Sequence, residues 1–108
     1  MRTLQSSEIT AAVRSLAMSA SCDLEPDILD RLLAARDREK SPLAKNALEM
    51  LVTNANIASR DQIPVCQDTG IGVVFVSVGQ EVIVEGDLEP AIQEGIRVGY
   101  EDGYLRKS

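Results

Sequence analysis

The chain contains no histidine and no tryptophan, and only one phenylalanine and two tyrosines among its 108 residues. The missing histidine removes the commonest general base, the commonest zinc ligand and every Ser-His or Cys-His nucleophile pair. Any chemistry must therefore come from carboxylates, Arg, Lys, a thiol or a bound cofactor. With aromatics at 3%, a core has to rest on Leu, Ile, Val and Ala. Cysteine is scarce too. Two residues, Cys22 and Cys66, do not make a disulfide scaffold and fit a reducing, cytoplasmic setting. Lys and Arg number 11 against 17 Asp and Glu, a net charge of −6. That balance argues against nucleic acid, whose binders cluster basic residues. No stretch approaches the roughly 20 apolar residues that span a bilayer, and the N-terminus lacks a signal-type apolar region, so no membrane partner is expected.

What is present reads as one domain, 1–108, of the α+β class: a helical N-terminal half of about three helices, then a small β hairpin or sheet and a further helix. Ile9, Ala12, Val13, Leu16 and Ala17 recur at helical spacing, with Ser6 or Ser7 as N-cap. Pro26 marks the start of a second helix with Ile28, Leu29, Leu32 and Leu33 as its apolar stripe. Ser41-Pro42 pairs a hydroxyl N-cap with proline at the first helical position, opening a third helix to about Ser59. The period then changes. Pro64 confines Ile63–Cys66 to a strand start or edge. Gly72–Val78 reads as a buried strand, Gly79-Gln80 as a hairpin turn, and Glu81–Glu85 as an alternating strand with one solvated face. Asp87 is the candidate N-cap of a fourth helix beginning near Pro90, with Ile92 and Ile96 on its inner face. The close at Gly103–Ser108 does not fade into a polar tail, and it predicts a chain cut short.

Chemistry concentrates in Cys66-Gln67-Asp68-Thr69-Gly70. A thiol, an amide, a carboxylate and a hydroxyl on successive positions are costly to bury, and packing supplies no reason for them. A lone Cys is ordinarily a small hydrophobe. Here an acidic neighbour raises a thiol pKa, and no base or cation adjoins, so a nucleophilic thiolate is poorly supported. Metal ligation suits it better, because a metal deprotonates the thiol outright. Zinc or an iron–sulfur cluster wants further ligands, and the chain offers only Cys22 besides. Asp68-Thr69-Gly70 is a common turn. It matches the aspartic-protease triplet only in three residues, in the wrong context. Arg106 is by default a solvated terminal Arg, although its fork suits carboxylate recognition.

Four segments occur in order: Pro64–Gly70, Phe75–Gly79, Glu94–Tyr100 and Gly103–Ser108. Together with the lead-in helix from Ser41-Pro42 to Asn54-Ala55, they closely resemble the N-terminal part of the α subunit of class I, iron–sulfur-dependent fumarate hydratases and L(+)-tartrate dehydratases. The resemblance covers essentially the whole chain and is most specific over 41–108. It implies a hydro-lyase that adds or removes water across a dicarboxylate with a 4Fe–4S cluster. Three thiolates hold such a cluster, and its open iron acts as a Lewis acid. Carried over position by position, the resemblance makes Cys66 one metal ligand and places Gln67 and Asp68 toward the substrate. Asp68 would take part in proton transfer, and Arg106 would pair with a substrate carboxylate. Thr69 and Gly70 would shape the turn.

The family's other two cluster cysteines and its β domain or subunit have no counterpart in these residues, and Cys22 matches no ligand position. The expectation is an N-terminal piece of a homo- or hetero-oligomeric enzyme, inactive by itself. The alternative is a non-catalytic interaction module that associates with a partner chain. A Cys-based redox or acyl-transfer enzyme is the third and weakest reading.

Overall fold

A computed structural model describes residues 1–107. Its elements run β1 (Arg2–Gln5), α1 (Ser6–Cys22), α2 (Pro26–Arg38), α3 (Pro42–Asp61), β2 (Val82–Glu85) and α4 (Leu88–Asp102). Three helices, a two-stranded sheet and a final helix match the α+β order expected from the pattern. The residues fall into two compact units, one of 1–18 with 67 onward, the other of 19–66.

In the second unit, Pro26 and Pro42 each occupy the first helical turn, where a missing N–H costs no hydrogen bond. Ser41 caps α3, its hydroxyl accepting from the Ala44 N–H at 3.4 Å. The helix ends two residues beyond Ser59, with Gln62 in the left-handed region at φ 53°. Val52, Ala55 and Ala58 form the buried stripe of α3, and Cys22 is buried in the same unit. Small residues in that stripe let neighbouring backbone come close.

In the first unit, the strand pairing departs from the sequence pattern. β2 does not form a hairpin with Gly72–Val78. It pairs with β1, in parallel, with Arg2 opposite Val82 and Gln5 opposite Glu85. The turn at Gly79 does form, its carbonyl accepting from the Val82 N–H at 3.1 Å. Residues 71–78 carry no ladder among the described residues and are exposed rather than buried. Without a pairing edge the run is not a strand among the described residues, although its β-branched composition suits one.

The start of α1 also differs. Ser6 and Ser7 already lie inside the helix, and Glu8 accepts from the Gln5 N–H at 2.9 Å, the return half of a capping box. α1 and α4 pack almost backbone to backbone. A Cβ on Gly95 would stand 2.6 Å from Val13 Cβ and 2.8 Å from the Thr10 carbonyl oxygen. One on Gly99 would stand 3.0 Å from both Ala17 Cβ and the Arg14 carbonyl oxygen. Ala91, Gly95 and Gly99 are the buried face of α4, with Ile92 and Ile96 only partly covered at its flank. Thr10 Oγ1 donates to the Ala91 carbonyl at 2.9 Å across this seam, and Arg14 Nε meets Asp102 Oδ2 at 2.7 Å at its far end. Gly86 turns the chain from β2 into α4 at φ +100°, a value that favours glycine.

Candidate active site

Arg106 is set in place by the way α4 ends. The Leu105 N–H donates to the Tyr100 carbonyl at 3.0 Å, and the Tyr104 N–H to the Glu101 carbonyl at 3.3 Å. That six-to-one and five-to-two pair is a Schellman closure, and its left-handed position falls on Tyr104 at φ 54°. Glycine is the usual occupant there. In this chain the glycine stands one residue earlier, at Gly103, where a Cβ would meet the Gly99 carbonyl oxygen at 2.9 Å and Met18 Cγ at 3.1 Å. Leu105 is 8% exposed and acts as the anchor that turns the chain back. The next side chain is Arg106.

That reversal brings Arg106 to Asp68, 38 positions away in sequence, with Nη1 3.7 Å from Oδ1. Both side chains are largely open to solvent, at 61% and 81% of full exposure. At this distance the contact is an ion pair rather than a hydrogen bond, and an exposed pair is worth no more than about 1 kcal/mol. It therefore does little for stability. It holds a guanidinium fork beside a carboxylate while leaving both reachable. Gln67, immediately before Asp68, is also exposed, as are Thr69 and Gly70, and a Cβ on Gly70 would meet nothing within 4 Å.

Cys66 is the last residue of the second unit and lies exposed. Its preceding residue is tied down on both sides. The Val65 N–H donates to the Ser21 carbonyl at 2.8 Å, and the Val65 carbonyl accepts from Asn54 Nδ2 at 2.7 Å. Asn54 thus reaches from α3 to fix the backbone that leads into the thiol. Nothing in the sequence pattern singles Asn54 out, since it stands among other polar residues, Thr53 and Asn56. Cys22 contrasts with Cys66: it is 5% exposed, and burial, helped by the neighbouring Asp23 charge, pushes its thiol up from the ordinary value. The two are not joined in a disulfide.

Whether these residues suit an iron–sulfur cluster is a question of donors. A cluster needs several thiolates, whereas the chain has one exposed thiol, one buried thiol and no histidine. Among the described residues no three His, Cys, Asp or Glu side chains converge as a metal site. This donor set does not make a complete cluster site. It fits one corner of such a site, at Cys66.

Asp68 and Arg106 thus present a carboxylate and a guanidinium side by side, both open to solvent. Residues 10–108 match the family model described as fumarate hydratase (Fumerase), and the chain belongs to that family. Among curated relatives, it is 32% identical over 101 residues to a putative L(+)-tartrate dehydratase subunit alpha of Methanocaldococcus jannaschii, a match covering 92% of this chain and 35% of that protein. It is 27% identical over 89 residues to the L(+)-tartrate dehydratase subunit alpha of Escherichia coli K12, covering 82% of this chain and 29% of that one. The chain thus spans about a third of the length of the curated relatives it matches.

Proposed function

We propose that this chain is the N-terminal portion of the α subunit of a hydro-lyase that reversibly hydrates or dehydrates a dicarboxylate of the fumarate, malate or tartrate type. The observation that carries the reading is the Asp68–Arg106 pair, an exposed carboxylate and guanidinium held together across 38 residues by a strained helix end. A protein has little structural use for such a pair, and a dicarboxylate has a direct one. Membership of the fumarate hydratase family supports the same reaction class.

In this reading Arg106 offers its fork to one substrate carboxylate, and two parallel N–H···O bonds fix the orientation of the carbon chain. Asp68, already beside that guanidinium, lies against the same ligand and exchanges a proton with it. Gln67 supplies a donor and an acceptor to a substrate hydroxyl or carboxylate. Cys66 would hold one iron of a 4Fe–4S cluster, its backbone fixed through Val65. When bound, that cluster supplies Lewis acidity toward the substrate's oxygen atoms. The remaining thiolates come from outside these 108 residues, and a β domain or subunit completes the assembly. The subunit designation of the tartrate dehydratase relatives supports that partner. Among the described residues no helix is long and apolar enough to cross a membrane, and a reduced pair of thiols fits a cytoplasmic site.

The test is anaerobic expression of a full-length α subunit carrying these residues together with its β subunit, assayed for hydration of fumarate and dehydration of malate and tartrate. Loss of turnover on Arg106→Ala and Asp68→Asn, with the protein still folded, is the expected result. Unchanged kinetics in both variants would remove these residues from the site.

A further inference from the structure

Asn54 stands in the interior of α3, where asparagine is a poor helix former, and its side chain is exposed, outside the buried stripe of Val52, Ala55 and Ala58. Its Nδ2 donates to the Val65 carbonyl oxygen at 2.7 Å. A carbonyl only accepts, so the amide has to meet it with nitrogen rather than oxygen. On the other side of the same residue, the Val65 N–H donates to the Ser21 carbonyl at 2.8 Å. The segment leading in is held as well. Gln62 Nε2 donates to Asp23 Oδ1 at 3.1 Å and to the Ser59 carbonyl at 2.7 Å, and the Ile63 N–H donates to the Ala58 carbonyl at 3.1 Å. All of these groups belong to the 19–66 unit.

The consequence falls on Cys66. A peptide group is planar, so a bond to the Val65 carbonyl also fixes the Cys66 nitrogen and Cα, which share its plane. Ser21 fixes the preceding plane through the Val65 N–H. With both planes tied, only φ and χ1 of Cys66 separate the anchored backbone from Sγ. Removing the Asn54 bond frees φ and ψ of Val65 in addition. An exposed hydrogen bond adds little to stability, since water offers each group a partner. The value of this one is directional, because it aims a thiol that is itself exposed.

We propose, on the reading of Cys66 as a cluster ligand, that Asn54 is a positioning residue for that cluster, acting through the Val65–Cys66 peptide to hold the thiol in place for iron. Groups that orient a metal ligand from behind typically govern about 10- to 100-fold in metal affinity. The experiment uses a full-length α subunit carrying these residues with its β subunit, prepared anaerobically and mixed with excess ferrous chelator, with iron release followed by absorbance. Asn54→Asp keeps the shape but turns an acceptor toward the carbonyl, and Asn54→Ala leaves that carbonyl to water. Both should release iron about 10- to 100-fold faster than the parent. The thermal midpoint of Asn54→Ala should stay close to the parent's, because alanine is the better helix former. Ser59→Ala is the structural control. It removes a bond of the same unit, from Ser59 Oγ to Asp23 Oδ1 at 2.8 Å, leaves both Val65 bonds intact, and should release iron at the parent rate. Parental release in both Asn54 variants would overturn the proposal, as would equal acceleration by Ser59→Ala. Cys66→Ser, prepared alongside, separates the two claims. A cluster lost in Cys66→Ser but held at the parent rate in the Asn54 variants overturns the positioning role alone. A cluster undiminished in Cys66→Ser overturns that role together with the reading of Cys66.

Discussion

Gly95→Ala distinguishes the packing described here from ordinary helix behaviour, because the two predict opposite signs. In an exposed helix interior, replacing glycine with alanine stabilises by about 1 kcal/mol. In α4 the new Cβ would stand 2.6 Å from Val13 Cβ, 2.9 Å from Val13 Cγ1 and 2.8 Å from the Thr10 carbonyl oxygen. Carbon contacts are optimal at about 3.5–4.0 Å, so α1 must retreat by about 1 Å. A side chain could rotate away, but a helix carbonyl cannot. The Thr10–Ala91 hydrogen bond, one turn along the same seam, is stretched by the same movement. Overpacking of this kind costs about 1–3 kcal/mol, and weakening the seam bond adds about 1 kcal/mol. After the helix-propensity gain, a net loss of about 2 kcal/mol remains. Urea unfolding followed by circular dichroism should show the midpoint falling by about 2 M, given a slope near 1 kcal/mol/M for a small domain. A midpoint that rises would refute the close α1–α4 approach and the role given to Gly95 in it.

Other consequences can be checked separately. Tyr104→Gly removes a left-handed Tyr from the α4 closure and should raise stability by about 1 kcal/mol in the same urea assay; a loss would show that the tyrosine ring, not the backbone, matters there. A thiol reagent at neutral pH should label Cys66 quickly and Cys22 only on unfolding, since Cys22 is buried and its thiol is pushed up; equal rates would contradict that burial. Because the folded Cys22 holds its proton above the ordinary value of 9.0, its contribution to stability is complete below that pH. It is lost as pH rises through the folded value, which Cys22→Ala should abolish. In the assembled enzyme, Arg106→Lys should raise KM for the dicarboxylate about tenfold or more, because a point charge cannot replace a bidentate fork.

Much of the helical framework was legible because its signals are local. Pro26 and Ser41-Pro42 mark helix starts by their own backbone chemistry, and the alternation of Glu81–Glu85 marks a strand by its side-chain period. The partner of that strand was not legible. β1 lies some 80 residues away, and four residues carry too little pattern to announce a parallel ladder. Gly72–Val78 read as a buried strand because β-branched residues ask for neighbours, but among the described residues no segment pairs with them. The inner face of α4 was misread for a related reason. Ile92 and Ile96 looked like its core contacts, whereas the seam with α1 is made by Gly95 and Gly99, whose value lies in having no side chain. At the site, Asp68 and Arg106 could each be singled out by chemistry and by family likeness. Their meeting depends on the Tyr104 reversal, which no residue type foretells, since glycine would be expected there.

The central claim is that Cys66 contributes a cluster ligand to an enzyme for which these 108 residues do not suffice. Iron and sulfide content after anaerobic reconstitution tests it most directly, on the isolated chain and on a full-length α subunit with and without Cys66→Ser. The account predicts no stoichiometric cluster on the isolated chain, a full complement on the α subunit, and its loss in the Cys66→Ser variant. A stable stoichiometric cluster on the isolated chain, or one undiminished by Cys66→Ser, would contradict it.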